Sequence, residues 1–250
     1  MKCVNAVWEE RNLGVKTVEI SIEKKDIVLS EEAVYEKIEE FIEEYQAKYV
    51  VIKVDTKYPA ISQFLQMKGY LLIESQIGLK LVREEALEKY EKYKEMFPGI
   101  SYKSVSKDEL NNIVTEINKG IFTTDRIALD PFFGIEAANK RYALWTQDEV
   151  RRGAEIFYSY YNDQPIGFFL AKNAGNGNIK GLLGGLFVNE NTRNYGGVYL
   201  FSTIKCFLDG TGKVDRTMVS SNNISILQLH LMFGRTITGM TNVFIRHFEQ

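Results

Sequence analysis

Two histidines, two cysteines and four prolines in 250 residues leave this chain poor in the side chains that usually announce chemistry. His230 and His247 have no cysteine or second histidine at ligand spacing, so metal chemistry is not expected. No G-x-S-x-G occurs, which argues against a serine hydrolase of the nucleophile-elbow type. Cys3 and Cys206 lie far apart and suggest no disulfide framework, which fits a reducing cytoplasm. Lysine and arginine total 31 against 33 acids, a net charge of −2, so a general nucleic-acid or anionic-membrane surface is not expected. No window of about eighteen apolar residues could span a membrane, and MKCVNAVWEERN lacks the apolar core of a signal peptide. Neither G-x-x-x-x-G-K-[ST] nor G-x-G-x-x-G after a strand is present, so neither nucleotide fingerprint applies. Few reactive side chains remain, which suits a reaction whose reactive group arrives on a cofactor.

What is present is an ordinary globular composition, 45% hydrophobic and 26% charged, with length enough for one large domain or two modest ones. Val15 to Ile22 alternates as a half-buried strand. Ser30 reads as an N-cap followed by acids, and Val34, Ile38, Phe41, Ile42 and Tyr45 form an apolar helical stripe. Tyr49 to Asp55 is a strand, Pro59 opens a helix that stops at Gly69, and Tyr70 to Val82 is a strand region. Residues 1–83 therefore read as a β-α-β-α-β half-domain. The charged run Glu84 to Met96, closed by Pro98-Gly99, reads as a helical linker over 84–99 with a solvated face. In residues 100–250, a helix from Asp108 to Gly120 N-capped by Ser106 precedes one carrying Ala137, Ala138, Tyr142 and Trp145. Two strands joined at Asn162 to Pro165 follow. Thr217 to Ser220, Ile224 to Met232 and Asn242 to Phe248 close the chain as strand, helix and strand.

The most informative stretch is Leu182 to Leu208. LLGGLFV reads as a strand, and Gly197, Phe201, Ile204 and Leu208 then recur at helical steps. A strand that passes through a glycine-bearing loop into a helix N-terminus gathers unpaired N–H groups and the positive end of the helix dipole at one spot, which suits a phosphate. Two adjacent glycines also serve as a plain tight connection, so the spacing alone leaves both readings open.

Arg193 and Gly196 fall on Gln/Arg-x-x-Gly-x-Gly/Ala, and Asn223, Leu229-His230 and Gly234-Arg235 follow at the spacing of an Asn and a Leu-Tyr-x-x-x-Gly-Phe motif. In both features the chain resembles the GCN5-related N-acetyltransferases. It departs at Val198, His230 and Arg235, where that family has Gly or Ala, Tyr and Phe. The N-terminal half, with Phe64 to Tyr70 reading Phe-Leu-x-x-x-Gly-Tyr, and the segment Asp125-Arg126 to Asp130-Pro131 followed by Tyr142 and Trp145, are similar to the TDP-fucosamine acetyltransferase type. The resemblance implies a mixed-sheet α/β acyl-CoA fold behind a degenerate half-domain, and a cytoplasmic homodimer. Acetyl-CoA would be held by Leu186, Phe187, Val188, Arg193, Asn194, Tyr195, Gly196, Gly197, Val198, Tyr199 and Asn223. Asp125, Arg126, Asp130, Tyr142 and Trp145 would face the acceptor, the amine of a nucleotide-linked deoxyaminosugar in surface-polysaccharide synthesis. His230, in the place of the family's tyrosine, would protonate the leaving sulfur, and Asp125 is the best side chain for a base. Two other functions compete: transfer to another small amine or peptide, and a non-catalytic scaffold of the same fold.

Overall fold

Tyr49, Val50, Val51, Ile52 and Val54 are all fully buried, and a strand covered on both faces belongs in the middle of a layered α/β protein. The computed structural model describes residues 1–106, 108–189, 192 and 194–248. The chain runs β1 (Lys2–Asn5), α1 (Val7–Leu13), β2 (Thr17–Ser21), α2 (Glu31–Tyr45), β3 (Tyr49–Asp55), α3 (Pro59–Met67), β4 (Leu71–Val82), α4 (Arg83–Tyr93) and β5 (Ile100–Ser104). It continues α5 (Leu110–Ile117), α6 (Gly134–Arg151), β6 (Glu155–Tyr161), β7 (Gln164–Gly175), β8 (Asn178–Leu186), α7 (Gly196–Asp209), β9 (Val214–Ser220), α8 (Ile224–Met232) and β10 (Thr236–His247).

Among the described residues the strands form one mixed ten-stranded sheet in the order β1-β2-β3-β10-β4-β9-β8-β7-β6-β5. The mixed α/β class read from the sequence is the one observed. The last strand lies between β3 and β4, pairing antiparallel with both, Phe244 opposite Ile52 on one side and Leu72 on the other. Residues from both ends of the chain thus share one ladder. Helices cover both faces. Val34 and Ile38 of α2 and Ile61 and Leu65 of α3 pack on β2, β3 and β10, and α4, α7 and α8 continue that layer over β4 and β7. On the opposite face, Ala138 of α6 meets Tyr49, Val243 and Ile245, and Tyr142 and Ala143 one turn on meet Ile156, Tyr158 and Phe168. Helix α6 therefore crosses from one half of the sheet to the other.

Several local expectations hold for the reasons given. Ser30 Oγ accepts from Ala33 N at 3.2 Å, capping α2, and Pro59 stands at the start of α3. Asn162 and Asp163 both have positive φ, 48° and 62°, as a two-residue hairpin turn requires. Three elements were not read. Lys2–Asn5 and Val7–Leu13 form a short edge strand and helix, and Ile100–Ser104 pairs with β6. The charged run expected as a helical linker over 84–99 is helical from Arg83 to Tyr93 with its charged face exposed, and its other face packs. Ala86 is fully buried and Tyr90 stacks on Phe201 at 5.1 Å, so α4 packs on α7 through one face. Arg83 at its start donates to the carbonyls of Phe207, Leu208, Gly210 and Gly212, closing the C-terminal end of α7.

Candidate functional site

Parallel strands β8 and β9 pair only where Asn178 to Lys180 meet Val214 to Arg216; beyond that point they diverge. The gap is floored by neither strand and becomes a cleft of about 750 Å³. Gly184 and Gly185 show that it opens on both faces. A Cβ on Gly184 would meet the Tyr199 hydroxyl of α7 at 2.0 Å, while one on Gly185 would meet Ile121 at 2.5 Å on the α5 side. Tyr199, Ile121 and Phe122 all line the cleft.

The edge of β8 that faces the gap carries unpaired backbone. Phe187 N donates to Ile166 O at 2.9 Å, so alternation along the β7–β8 ladder turns the N–H and C=O of Leu186 and Gly184 away from β7, toward the cleft. Leu186 is thus a cleft residue. Phe187 and Val188 are not: Phe187 is committed to β7 and packed on Tyr158 and Phe168, and both residues line a second, smaller cavity beside α5. Thr192 bonds back to the end of this strand region. The Thr192 hydroxyl donates to Phe187 O at 2.5 Å and to Asn189 O at 3.2 Å, and Thr192 N donates to Asn189 Oδ1. Arg193 lies outside the described residues.

At the mouth of the cleft α7 begins without a side-chain cap or an acid in its first turn. Its first intrahelical bond runs from Tyr199 N to Tyr195 O, so the N–H groups of Gly196, Gly197 and Val198 precede the hydrogen-bonded ladder, and the dipole adds positive potential there. Gly196, Gly197 and Asn194 line the cleft, and Leu229 Cδ1 would sit 2.9 Å from a Cβ at Gly196. Tyr195 instead packs edge-on against Tyr161, and the side chain of Val198 is buried in the core. The bulk of Val198, where the resembled family has a small residue, therefore does not enter the cleft. Asn223 lines the cleft and caps α8, accepting from Ile226 N.

His230 of α8 lines the deep end and is 8% exposed. Burial, then the positive charge of Arg235, push its pKa down to about 3. At neutral pH the ring is therefore uncharged and offers one N–H. Arg235 pairs with Asp215 in the same wall, a contact replacing the apolar packing of a phenylalanine.

The residues expected at the acceptor divide. Asp125 and Tyr142 line the cleft on the α6 side, with the Phe122 ring tilted against Tyr142 at 4.3 Å between centroids. Asp125 Oδ1 accepts from Ala128 N, and Ser220 Oγ of β9 donates to Thr124 O, tying this loop to the gap. Burial, then Asp125, raise the Tyr142 phenol well above its ordinary value, so it keeps its proton. Arg126, Asp130 and Trp145 lie elsewhere. Arg126 is buried between Glu9 (3.1 Å) and Glu19 (2.6 Å), with Arg141 also on Glu9 at 2.7 Å. Asp130 accepts from His247 Nε2 at 2.9 Å and from Phe132 N, a turn clamped to the last strand. Trp145 packs among the α5–α6 core residues. Sequence reasoning missed Gly184, Thr192, Asp215 and Ser220. Glycine in a strand whose backbone a ligand approaches is the one signal that could have marked Gly184. Among the described residues no three His, Cys, Asp or Glu side chains come together as metal ligands, and no helix is long and apolar enough to cross a membrane.

No protein-family model and no curated protein matches the chain. Solved structures do. A conserved protein of unknown function from Staphylococcus epidermidis superposes with a TM-score of 0.62 at 11% identity, covering 94% of this chain and 85% of that one. A GCN5-related N-acetyltransferase from Sphaerobacter thermophilus superposes at 0.61 and 10% identity, covering 98% and 75%. A tandem GNAT protein from the clavulanic acid biosynthesis pathway, solved without AcCoA, gives 0.57 at 10% identity, covering 92% and 75%. The fold of this chain is that of the GCN5-related N-acetyltransferases.

Proposed function

We propose that the protein is an acetyl-CoA-dependent N-acetyltransferase acting on a small-molecule amine. The observation that carries this reading is the junction of a free β8 edge with the uncapped start of α7 at one cleft. Acetyl-CoA, when bound, supplies a thioester-activated acyl group. Backbone groups of Gly184 and Leu186 would hold its extended arm in the manner of an added strand, and the N–H groups of Gly196, Gly197 and Val198 would take its pyrophosphate. Asn194 and Asn223 add side-chain polar groups at the same wall. Holding the two reactants on opposite sides of the sheet opening, with the gap as their meeting place, removes much of the entropic barrier. His230 offers a neutral N–H at the deep end, a hydrogen-bond donor to developing negative charge rather than a proton source. Asp125 stands on the acceptor side, where a carboxylate can receive the proton of the amine.

The resemblance points further, to a nucleotide-linked deoxyaminosugar and surface-polysaccharide synthesis, and to a cytoplasmic homodimer. Free thiols at Cys3 and Cys206 suit that compartment. The exposed apolar side chains Ile224, Leu231, Ile237 and Met240 support a self-association surface, which sedimentation equilibrium would read directly.

The test is calorimetric titration with acetyl-CoA and with desulfo-CoA. We expect micromolar binding of both, abolished by Gly196→Trp, and thiol release on adding an amine. No binding would overturn the acetyltransferase reading, and binding without turnover on any amine would leave a CoA-binding scaffold.

A further inference from the structure

The acceptor side of the cleft has a definite charge. Arg235 is the one basic side chain among the described residues that line the cleft, and it is paired with Asp215. The guanidinium groups on the Asp125 side, Arg126 and Arg141, are held by Glu9 and Glu19. Asp125, by contrast, has an ion-pair partner only at 4.0 Å, the Arg141 Nη1 already engaged with Glu9. Its loop bond uses Oδ1, Oδ2 is the oxygen that faces Arg141, and the Tyr142 hydroxyl hydrogen-bonds to the same carboxylate. Beside it stand two aromatic rings, Phe122 and Tyr142, with centroids 4.3 Å apart. A carboxylate beside aromatic rings, in a wall with no uncommitted cation among its described residues, attracts an ammonium group and disfavours a diphosphate beside it.

We infer that the acceptor is a compact, phosphate-free amine carrying a second, cationic group, held by Asp125 with the Phe122–Tyr142 ring pair. The inference rests on the acetyltransferase reading above and narrows its substrate class, away from nucleotide-linked sugars. The second cation is recognised and the neutral amine reacts: its nitrogen bonds to the acyl carbon, the carbon–sulfur bond breaks, the nitrogen's proton passes to solvent through the acceptor wall, and the thiolate is protonated from solvent.

The experiment uses full-length protein, first titrated with acetyl-CoA and then assayed by thiol release with putrescine, butylamine and a nucleoside-diphosphate-linked aminosugar. We expect kcat/KM for putrescine at least about tenfold above butylamine, the worth of one well-placed charge contact, with the sugar nucleotide poorest. Asp125→Asn keeps an oxygen for Ala128 N, so the loop retains its fold. It should collapse the ratio of kcat/KM for putrescine over butylamine to about one, whatever its effect on turnover of the two amines in common. Calorimetric binding of putrescine to the protein, independent of turnover, should weaken about tenfold in the same variant. Equal use of putrescine and butylamine, preference for the sugar nucleotide, or an Asp125→Asn variant that keeps the putrescine advantage overturns the inference while leaving the acetyltransferase reading intact. Failure to bind acetyl-CoA overturns both.

Discussion

His230 and Glu19 show how burial decides what a titratable side chain does. The histidine is neutral because burial and Arg235 both disfavour its charge, so its folded pKa near 3 lies below the unfolded value near 6.5. The unfolded chain then binds a proton that the folded chain does not, and stability falls as pH drops from about 6.5 toward 3. We expect His230→Phe to flatten that part of the urea-unfolding pH profile, and the kcat profile between about pH 6 and 8 to keep its shape, since no imidazolium is lost. Glu19 is shifted in the same direction for a different reason. Burial alone would raise it, but Arg126 and then Lys53 outweigh burial and hold it at about 2. Its contribution is present above about pH 4.5 and is lost as pH falls toward 2. Glu19→Gln should cost about 3 kcal/mol at neutral pH, leaving Arg126 short of a partner, and much less at pH 2, measured by denaturant unfolding. None of this was legible in the sequence. Glu9, Glu19, Arg126 and Arg141 look like solvated charges one by one, and their meeting depends on contacts 107 to 132 residues apart.

At the scale of the element, β8 and α7 were the most legible part of the chain, because a strand period, a glycine pair and a helical period follow one another without interruption. What stayed hidden was orientation. The same segment that supplies Leu186, Gly196 and Gly197 to the cleft sends Phe187, Tyr195 and Val198 into packing, and which way each points is set by β7 and α4, not by its neighbours in sequence. Two predictions belong here. Gly167→Ala should lower stability by more than a surface substitution, since its Cβ would lie 2.4 Å from Gly185 O, and the backbone there cannot yield without breaking the β7–β8 ladder. We expect a loss of about 1–3 kcal/mol, read as a lower midpoint in thermal unfolding. Arg83→Met removes the group that satisfies four carbonyls at the C-terminal end of α7. It should cost about 1–3 kcal/mol in the same measurement.

For the whole molecule, the class of fold could be read, since helices and strands alternate with turn residues between them, and the pattern of the last strand was plain in NVFIRHF. Its address was not. Periodicity tells that a strand buries both faces but not which edges it joins, and Asn242 to His247 pairs with a strand nearly two hundred residues upstream. Because β10 is shared by β3 and β4, the N-terminal residues have no complete sheet without it. Full-length protein should therefore unfold in one transition, with far-ultraviolet dichroism and tyrosine and tryptophan fluorescence coinciding, while a chain ending at Gly234 should show no cooperative transition.

The same placement sets an order of events on the ribosome. β3 and β4 emerge first, and the strand that joins them, ending at His247, comes 165 residues after β4 ends at Val82. At synthesis rates of about 5–20 residues per second that is an interval of roughly 8–33 s. Throughout it, the edges of β3 and β4 that β10 will pair lack their partner and are templates for pairing with any other extended chain. Yield in cells should depend on what shields those edges while the nascent chain waits, more than on the stability of the finished molecule.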